Sequence, residues 1–161
     1  MDFLWQGRYF ERQVALQARC GQHALNDLIG GMQFTVADLA SAAEQVCSET
    51  DDAREAHVLP NGWYSHSVLA TALQNTVPPP WRLLLSPLLV ESLFQFISDP
   101  TMLGALVNKA NKHWVAVLKH ANLLWIVDSL QSRALLSAAA LAELVAAHPN
   151  VSPVVENYSA H

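Results

Sequence analysis

Apolar side chains recur at helical spacing in the first part of the chain. Between positions 20 and 29 they fall three or four residues apart, and Gly30-Gly31 follows them as a helix stop. This pattern predicts a buried helix whose first residue is Cys20. A second helix is expected to start at Thr35, since Thr35 and Asp38 have the spacing of a capping box.

The second half of the chain consists of short apolar runs separated by turn residues, a pattern typical of strands. Strands are expected near residues 81–85, 102–107, 114–118, 123–127 and 151–155, and further helices near 65–75, 88–97 and 137–147. Pro153 would fit best at a sheet edge or a bulge, because proline cannot donate a ladder hydrogen bond. The order of elements predicts an α+β fold in which a helical lobe packs on an antiparallel sheet.

Size and composition exclude several classes of protein. The 161 residues suit a single domain, and a folded core is expected because 52% of them are hydrophobic and only 14% are charged. The net charge of −5 argues against a nucleic-acid partner. No basic region followed by an apolar run opens the sequence, and no segment has about 18 uninterrupted apolar residues, so neither a secretory signal nor a membrane span is expected.

The two cysteines, Cys20 and Cys47, are too few for a disulfide scaffold and lack the paired spacing of a zinc site. We therefore expect free thiols in a reducing, cytoplasmic compartment, with no metal and no cofactor; a monomer is expected as well. Cys47 falls at the end of an amphipathic helix, where packing is the ordinary role of a lone cysteine.

A candidate pair of catalytic residues lies on one predicted hairpin. If the turn is centred just after His120, then His113 stands directly opposite Asp128, and Val117 faces Leu124. Cross-strand neighbours have Cβ atoms about 4.5–5.5 Å apart, so a carboxylate in that position can hold an imidazole by one ring nitrogen. The spacing therefore predicts an oriented histidine.

Cys20 is the candidate nucleophile. The first turn of a helix carries the positive end of the helix dipole, and a neighbouring imidazolium further favours a thiolate there. Packing this helix end against the hairpin would unite Cys20 as nucleophile, His113 as general base and acid, and Asp128 as the group that orients the imidazole.

These residues lie in blocks that resemble the Josephin deubiquitinases. Residues 20–28 (CGQHALNDL) are similar to the nucleophile helix of that family, 113–115 (HWV) and 128–130 (DSL) to its His and Asp/Asn blocks, and 62–73 (GWYSHSVLATAL) to its middle block. The resemblance covers about residues 10–155 of the chain. It implies a papain-like cysteine protease fold and cleavage after the carboxyl-terminal glycine of ubiquitin, with ubiquitin or polyubiquitin as partner.

The resemblance also implies an oxyanion residue, where this chain departs from the family. The family places a glutamine upstream of the nucleophile to polarise the scissile carbonyl; Gln13 looks like that residue, but it lies two positions further from Cys20 than is usual. Either a short insertion bulges out, or Gln17 takes the role, or the oxyanion site is impaired. Loss of one such donor costs about 10²–10³ in rate.

Substrate-binding residues are implied as well, in the middle block and beside His113. They are Trp63, Tyr64, His66, Ser67 and Trp114, although ordinary core packing stays open for the two tryptophans and for Tyr64.

Three functions are compatible with these observations. The first is an active thiol protease that hydrolyses ubiquitin conjugates. The second, suggested by the displaced Gln13, is a ubiquitin-binding module that has lost turnover. The third is a papain-like peptidase or acyl transferase that acts on another ubiquitin-like tail.

Overall fold

The computed structural model of the chain describes residues 2–5, 8–11, 19–59, 63–76, 81–84, 86–109, 113–120, 122–128, 133–148 and 150–156. The helices are α1 (Cys20–Ile29), α2 (Val36–Glu49), α3 (His66–Gln74), α4 (Leu93–Ser98) and α5 (Ala138–Ala147), with short 3-10 turns at Arg54–Ala56 and Val90–Ser92. The strands are β1 (Asp2–Trp5), β2 (Arg8–Glu11), β3 (Trp81–Leu83), β4 (Met102–Lys109), β5 (His113–His120), β6 (Leu123–Val127), β7 (Arg133–Leu136) and β8 (Val151–Glu156).

Local signals in the sequence account for the helix ends. Thr35 caps α2, because its side chain accepts a hydrogen bond from the Asp38 backbone while the Asp38 carboxylate binds the Thr35 backbone, as the predicted capping box requires. Ser65 and Ser137 cap α3 and α5 in the simpler way, each with its hydroxyl on the third backbone N–H that follows. The α1 helix begins at Cys20 and ends before Gly30, as predicted.

Six strands form one antiparallel sheet in the order β3-β8-β4-β5-β6-β7, and β1 pairs with β2 separately. One face of the sheet packs against α1 and α3, with α2 packed on α3, and the other face packs against α4 and α5. The predicted α+β class, with a helical lobe on an antiparallel sheet, is therefore confirmed. The helical lobe and strand β5 meet at the end of the sheet where His113 begins its strand.

The predicted position of Pro153 is wrong. β8 lies inside the sheet, between β3 and β4, and Pro153 pairs with Ala105 of β4. Proline is tolerated there because its nitrogen faces β3, and β3 ends at Leu83, before the position that would pair with Pro153. On that side the Pro153 carbonyl accepts a hydrogen bond from the Leu84 N–H at 2.9 Å, while the Leu84 carbonyl accepts one from His66 Nε2 at 3.3 Å. A side chain thus supplies the donor that proline lacks.

Strand β4 carries an irregularity at Gly104, where α1 packs closely on the sheet. The register of β4 against β8 shifts between Met102 and Gly104. A Cβ added at Gly104 would lie 2.2 Å from the Val117 carbonyl oxygen and 2.5 Å from Leu28 Cδ1. No other residue fits there without moving the β5 backbone.

We expect Gly104→Ala to lower the free energy of unfolding by about 3 kcal/mol, because the added methyl group meets backbone that cannot yield. Urea denaturation monitored by circular dichroism measures this. Gly31→Ala is the matched control, since no atom lies within 4 Å of a Cβ there. Equal stability of the two variants would contradict the close packing of α1 on β4.

Candidate active site

Cys20 lies at the amino terminus of α1, at the boundary between the helical lobe and the sheet. Its side chain is buried, with 4% of its surface exposed. Gly21, the next residue, lets α1 pack closely on Leu69 of α3 and Trp114 of β5. A Cβ at position 21 would lie 3.1 Å from Leu69 Cδ2 and 3.6 Å from Trp114 Cδ1. Arg19, at the N-cap, makes no side-chain capping bond. Because no side chain caps this end of the helix, the positive end of the helix dipole acts on Cys20, the first residue of α1.

His113 and Asp128 form a close ion pair at the end of the β5–β6 hairpin. His113 Nε2 donates a hydrogen bond to Asp128 Oδ1 at 2.7 Å, and the two side chains are 17% and 14% exposed. Because Nε2 is bound to the carboxylate, Nδ1 is the ring nitrogen that can serve the thiol. Cys20 acts on this ring as well, since it is among the groups that raise the pKa of His113. The structure thus brings the three predicted residues together.

The charge state of His113 follows from these contacts. The hydrogen bond to Asp128, followed by the one to Cys20, raises the pKa of His113 to about 9, against an opposing effect of burial. At neutral pH the imidazole is therefore protonated. This arrangement can hold a thiolate beside an imidazolium, and it can deliver a proton to a leaving group bound next to the ring.

The predicted register of this hairpin is wrong by two residues. Val117 pairs with Ile126 rather than with Leu124, and His120 pairs with Leu123. The turn is fixed by Asn122, whose positive φ of 60° suits the asparagine of a two-residue hairpin loop. An even shift leaves His113 and Asp128 on the same face, so they meet diagonally across the pair.

The two tryptophans of the predicted substrate site are packed inside the protein. Trp63 is 6% exposed and Trp114 is 1% exposed, and their rings stack with centroids 6.4 Å apart and planes 11° apart. Trp114 Nε1 donates to the Tyr64 carbonyl at 2.7 Å. These side chains hold the segment that precedes α3 against β5. A ligand could reach them only through the cavity that they line together with His66.

Of the other residues in the predicted substrate-binding set, Tyr64 and His66 are half-buried and Ser67 is exposed. Their contact with a substrate stays a prediction. Gln13 and Gln17, the alternative oxyanion residues, both lie outside the described residues.

The side chains that support the segment before α3 were not among the predicted site residues. His57 is 6% exposed; its Nδ1 accepts from the Ser65 hydroxyl at 2.8 Å, and its Nε2 faces Asp52 Oδ2 at 3.2 Å. Ser65 Oγ also accepts from the Val68 N–H, so its hydroxyl is occupied by capping α3. This Ser-His-Asp chain is therefore a structural clamp. The sequence offered one sign of this contact, a helix-capping serine, Ser65, eight residues after His57.

Within the described part of the chain, no group of three or more His, Cys, Asp or Glu side chains is placed to hold a metal ion. No helix among the described residues has both the length and the apolarity to cross a membrane. Cys20 and Cys47 are both free cysteines.

Comparison with known proteins places these residues in a family context. The protein-family model named Josephin matches residues 16–148, which include Cys20, His113 and Asp128. No curated protein matches the chain significantly. Among solved structures, a double glycine motif protease from an AMS/PCAT transporter, in complex with the leader peptide, is similar over 97% of each chain, at 12% identity and a TM-score of 0.48.

Proposed function

The chain belongs to the Josephin family of cysteine protease and deubiquitinase domains, and we propose that it hydrolyses isopeptide and peptide bonds after the carboxyl-terminal glycine of ubiquitin. We further propose that residues 1–161 act as one catalytic domain with Cys20 as nucleophile, His113 as general acid and base, and Asp128 as orienting acid. The observation that carries the proposal is the His113 ring, which is bound by Asp128 at 2.7 Å through Nε2 and whose pKa is raised by Asp128 and by Cys20.

Acylation begins with the thiolate of Cys20 attacking the scissile carbonyl. The carbonyl π pair moves to oxygen and forms a tetrahedral oxyanion. As this intermediate collapses, the carbon–nitrogen bond breaks and the imidazolium of His113 gives its proton to the departing amine. The products of this half-reaction are the free amine, neutral His113 and a thioester on Cys20.

Deacylation reverses the role of His113. The neutral imidazole takes a proton from water, the resulting hydroxide adds to the thioester carbonyl, and the carbon–sulfur bond breaks. The carboxylic acid leaves, and the thiolate and imidazolium are restored. Asp128 contributes by keeping the ring oriented and by stabilising its protonated form through a charge-assisted hydrogen bond.

A ubiquitin probe that carries an electrophile at its carboxyl terminus tests the proposal. We expect the wild-type protein to form a covalent adduct, and peptide mapping by mass spectrometry to locate the adduct on Cys20. Cys47→Ala is the matched control, because it removes the other free thiol and is expected to label at the wild-type rate.

Three results would contradict the proposal in different ways. An adduct on Cys47 would refute the assignment of the nucleophile. Binding of ubiquitin without labelling or cleavage would indicate a module that has lost turnover. Labelling only by probes built on other ubiquitin-like tails would indicate a peptidase or acyl transferase with a different substrate.

A further inference from the structure

Helix α4 and the 3-10 turn before it carry a row of apolar side chains on their solvent side. Phe94 is 84% exposed, and Val90 and Ile97, which lie one turn before it and one turn after it, are exposed as well. The buried side of the helix is formed by Leu93 and Phe96 instead. Packing inside the chain therefore does not account for Phe94.

The apolar surface continues from α4 onto the β5–β6 hairpin. Ile97 and Leu123 line one cavity of about 400 Å³, and Leu123 and Leu89 are each about half exposed. We call this surface the α4 face; it consists of Leu89, Val90, Phe94, Ile97 and Leu123. Its exposed apolar area is on the order of 500 Å², and patches of this size on folded proteins commonly bind another molecule.

Opposite charges stand at the two ends of the α4 face. Glu91 is exposed one turn before Phe94. At the other end Lys119 of β5 reaches past α4, where its Nζ donates to the Asp99 carbonyl at 2.8 Å and lies 4.9 Å from the centre of the Phe96 ring. The eight residues from Glu91 to Asp99 separate the two charges by about 12 Å along the helix axis.

The ammonium of Lys119 is partly buried without a carboxylate to neutralise it. Burial lowers the pKa of Lys119, and the more distant charge of Asp99 opposes that effect. The Asp99 carboxylate accepts hydrogen bonds from the Thr101 N–H at 2.9 Å and the Thr101 hydroxyl at 2.7 Å. Among the residues that the structure describes, no carboxylate lies within ion-pairing distance of Lys119 Nζ. A carboxylate from another molecule would gain a charge-assisted hydrogen bond there.

The α4 face is complementary to a second copy of itself. When two α4 helices lie antiparallel across a twofold axis near Phe94, Glu91 of each copy meets Lys119 of the other, and the apolar side chains between them face one another. Two such faces bury about 1,000 Å² of apolar surface in total, which reaches the lower limit for a specific interface.

The position of this face leaves the candidate active site open. Lys119 lies six residues after His113 along β5, a distance of about 20 Å in an extended strand. The α4 face lies on the side of the sheet that packs against α4 and α5, whereas α1, which begins at Cys20, packs on the other side. Two copies joined through α4 would therefore both keep an accessible Cys20 helix end.

We propose that the α4 face is the interface of a weak homodimer, in which Phe94 packs at the twofold axis and Glu91 of each copy pairs with Lys119 of the other. A monomer was expected from the sequence, which does not reveal which apolar side chains stay outside the core. The proposal does not depend on the reaction proposed for Cys20.

Analytical ultracentrifugation of the full-length protein tests the dimer. The measurement is made in a reducing buffer, so that Cys47 cannot link two copies covalently. We expect a reversible monomer–dimer equilibrium with a Kd on the order of 10 μM, as suits an interface of this size. Phe94→Glu should weaken association about a hundredfold, because it places a charge at the centre of the apolar contact.

Leu135→Glu is the matched control. Leu135 is an exposed leucine of β7 that pairs with Trp125, on the side of the sheet away from α4, so this variant should dimerise like the wild type. Circular dichroism of both variants shows whether the substitutions leave the fold intact.

Charge reversal tests the predicted pairing of Glu91 with Lys119. Glu91→Lys alone and Lys119→Glu alone each replace two attractions by two repulsions in the homodimer, so each should associate about tenfold more weakly. An equimolar mixture of the two variants restores both attractions in the heterodimer and should associate within about threefold of the wild type. If Lys119→Glu folds poorly, weaker association of Glu91→Lys and its recovery at high salt give the same reading.

A wild-type protein that stays monomeric at about 300 μM would overturn the dimer and indicate that the α4 face serves a different apolar partner. Wild-type association by folded Phe94→Glu would show that the interface lies elsewhere. A mixture of the charge variants that associates no better than either one alone would overturn the antiparallel arrangement.

Discussion

Cys20→Ala is expected to abolish cleavage of ubiquitin conjugates, with a fall in kcat of about 10⁶-fold, because no other group can form the thioester. Affinity for ubiquitin should be unchanged, since the substitution removes one buried sulfur atom and leaves the surface intact. Cleavage of a fluorogenic ubiquitin conjugate measures the first quantity, and fluorescence anisotropy with labelled ubiquitin measures the second.

Cys47→Ala provides the control for this experiment. Its thiol is half-buried on α2, away from the hairpin that carries His113, so activity should stay within about twofold of wild type. Substantial turnover by Cys20→Ala, or an equal loss in both variants, would show that the reaction does not pass through the thiol at the head of α1.

How far the sequence predicts this site depends on the distance along the chain over which each signal acts. The start of α1 at Cys20 follows from apolar spacing and Gly30, and the start of α2 follows from Thr35 and Asp38; these are local patterns that any surrounding fold would respect. The meeting of Cys20 with His113 is different. It needs α1 to pack on β5 across more than ninety residues, which only the family resemblance indicated.

The contact of His113 with Asp128 was predicted from a register that proved wrong. The two residues share a face in both registers, because the error was an even number of positions. The side chains of His113 and Asp128 are long enough to meet across the diagonal of the strand pair. The correct turn was indicated by Asn122, which tolerates the left-handed conformation better than other residues near the turn. Side-chain alternation therefore predicts faces more safely than it predicts partners.

Other elements were missed or placed imprecisely for similar reasons. The short strands β1, β2 and β7 were not predicted, since four residues carry little periodicity and β7 runs into the apolar sequence of α5. The helix expected over 88–97 begins later, as a 3-10 turn from Val90 followed by α4 from Leu93. The interior position of β8 depends on pairing with both β3 and β4, which no local pattern specifies.

Replacing Asp128 separates orientation of His113 from stabilisation of its charge. In Asp128→Ala the largest cause of the raised His113 pKa is lost, while burial continues to lower it, so the pKa should fall from about 9 toward 6.5. At pH 8 the ring is then neutral and poorly oriented, and kcat should drop by about 10²–10⁴-fold. A pH–rate profile and an NMR titration of the His113 ring measure both effects.

Asp128→Asn is the matched variant, because its amide oxygen can still accept the hydrogen bond from Nε2 while the charge is absent. Its His113 pKa should also fall, but the ring stays oriented. We therefore expect most of the wild-type rate at pH 6 and a loss that grows as the pH rises toward 8. If the fall of the pH–rate profile at high pH were the same in both variants as in the wild type, Asp128 would not govern the protonation of His113.

The same pair makes stability depend on pH with a definite sign. The pKa of His113 is raised in the folded protein from 6.5 to about 9, so the stabilisation is complete below pH 6.5 and is lost as the pH rises through 9. The side chains are less than one-fifth exposed, so solvent screens the pair only partly; because Cys20 supplies part of the shift, the contribution of Asp128 is on the order of 2 kcal/mol. Between pH 6.5 and 9, urea denaturation should show the wild type losing its stability advantage over Asp128→Ala. An advantage that is constant across this interval would mean that His113 keeps an ordinary pKa in the folded protein and that the thiolate of Cys20 has no imidazolium beside it.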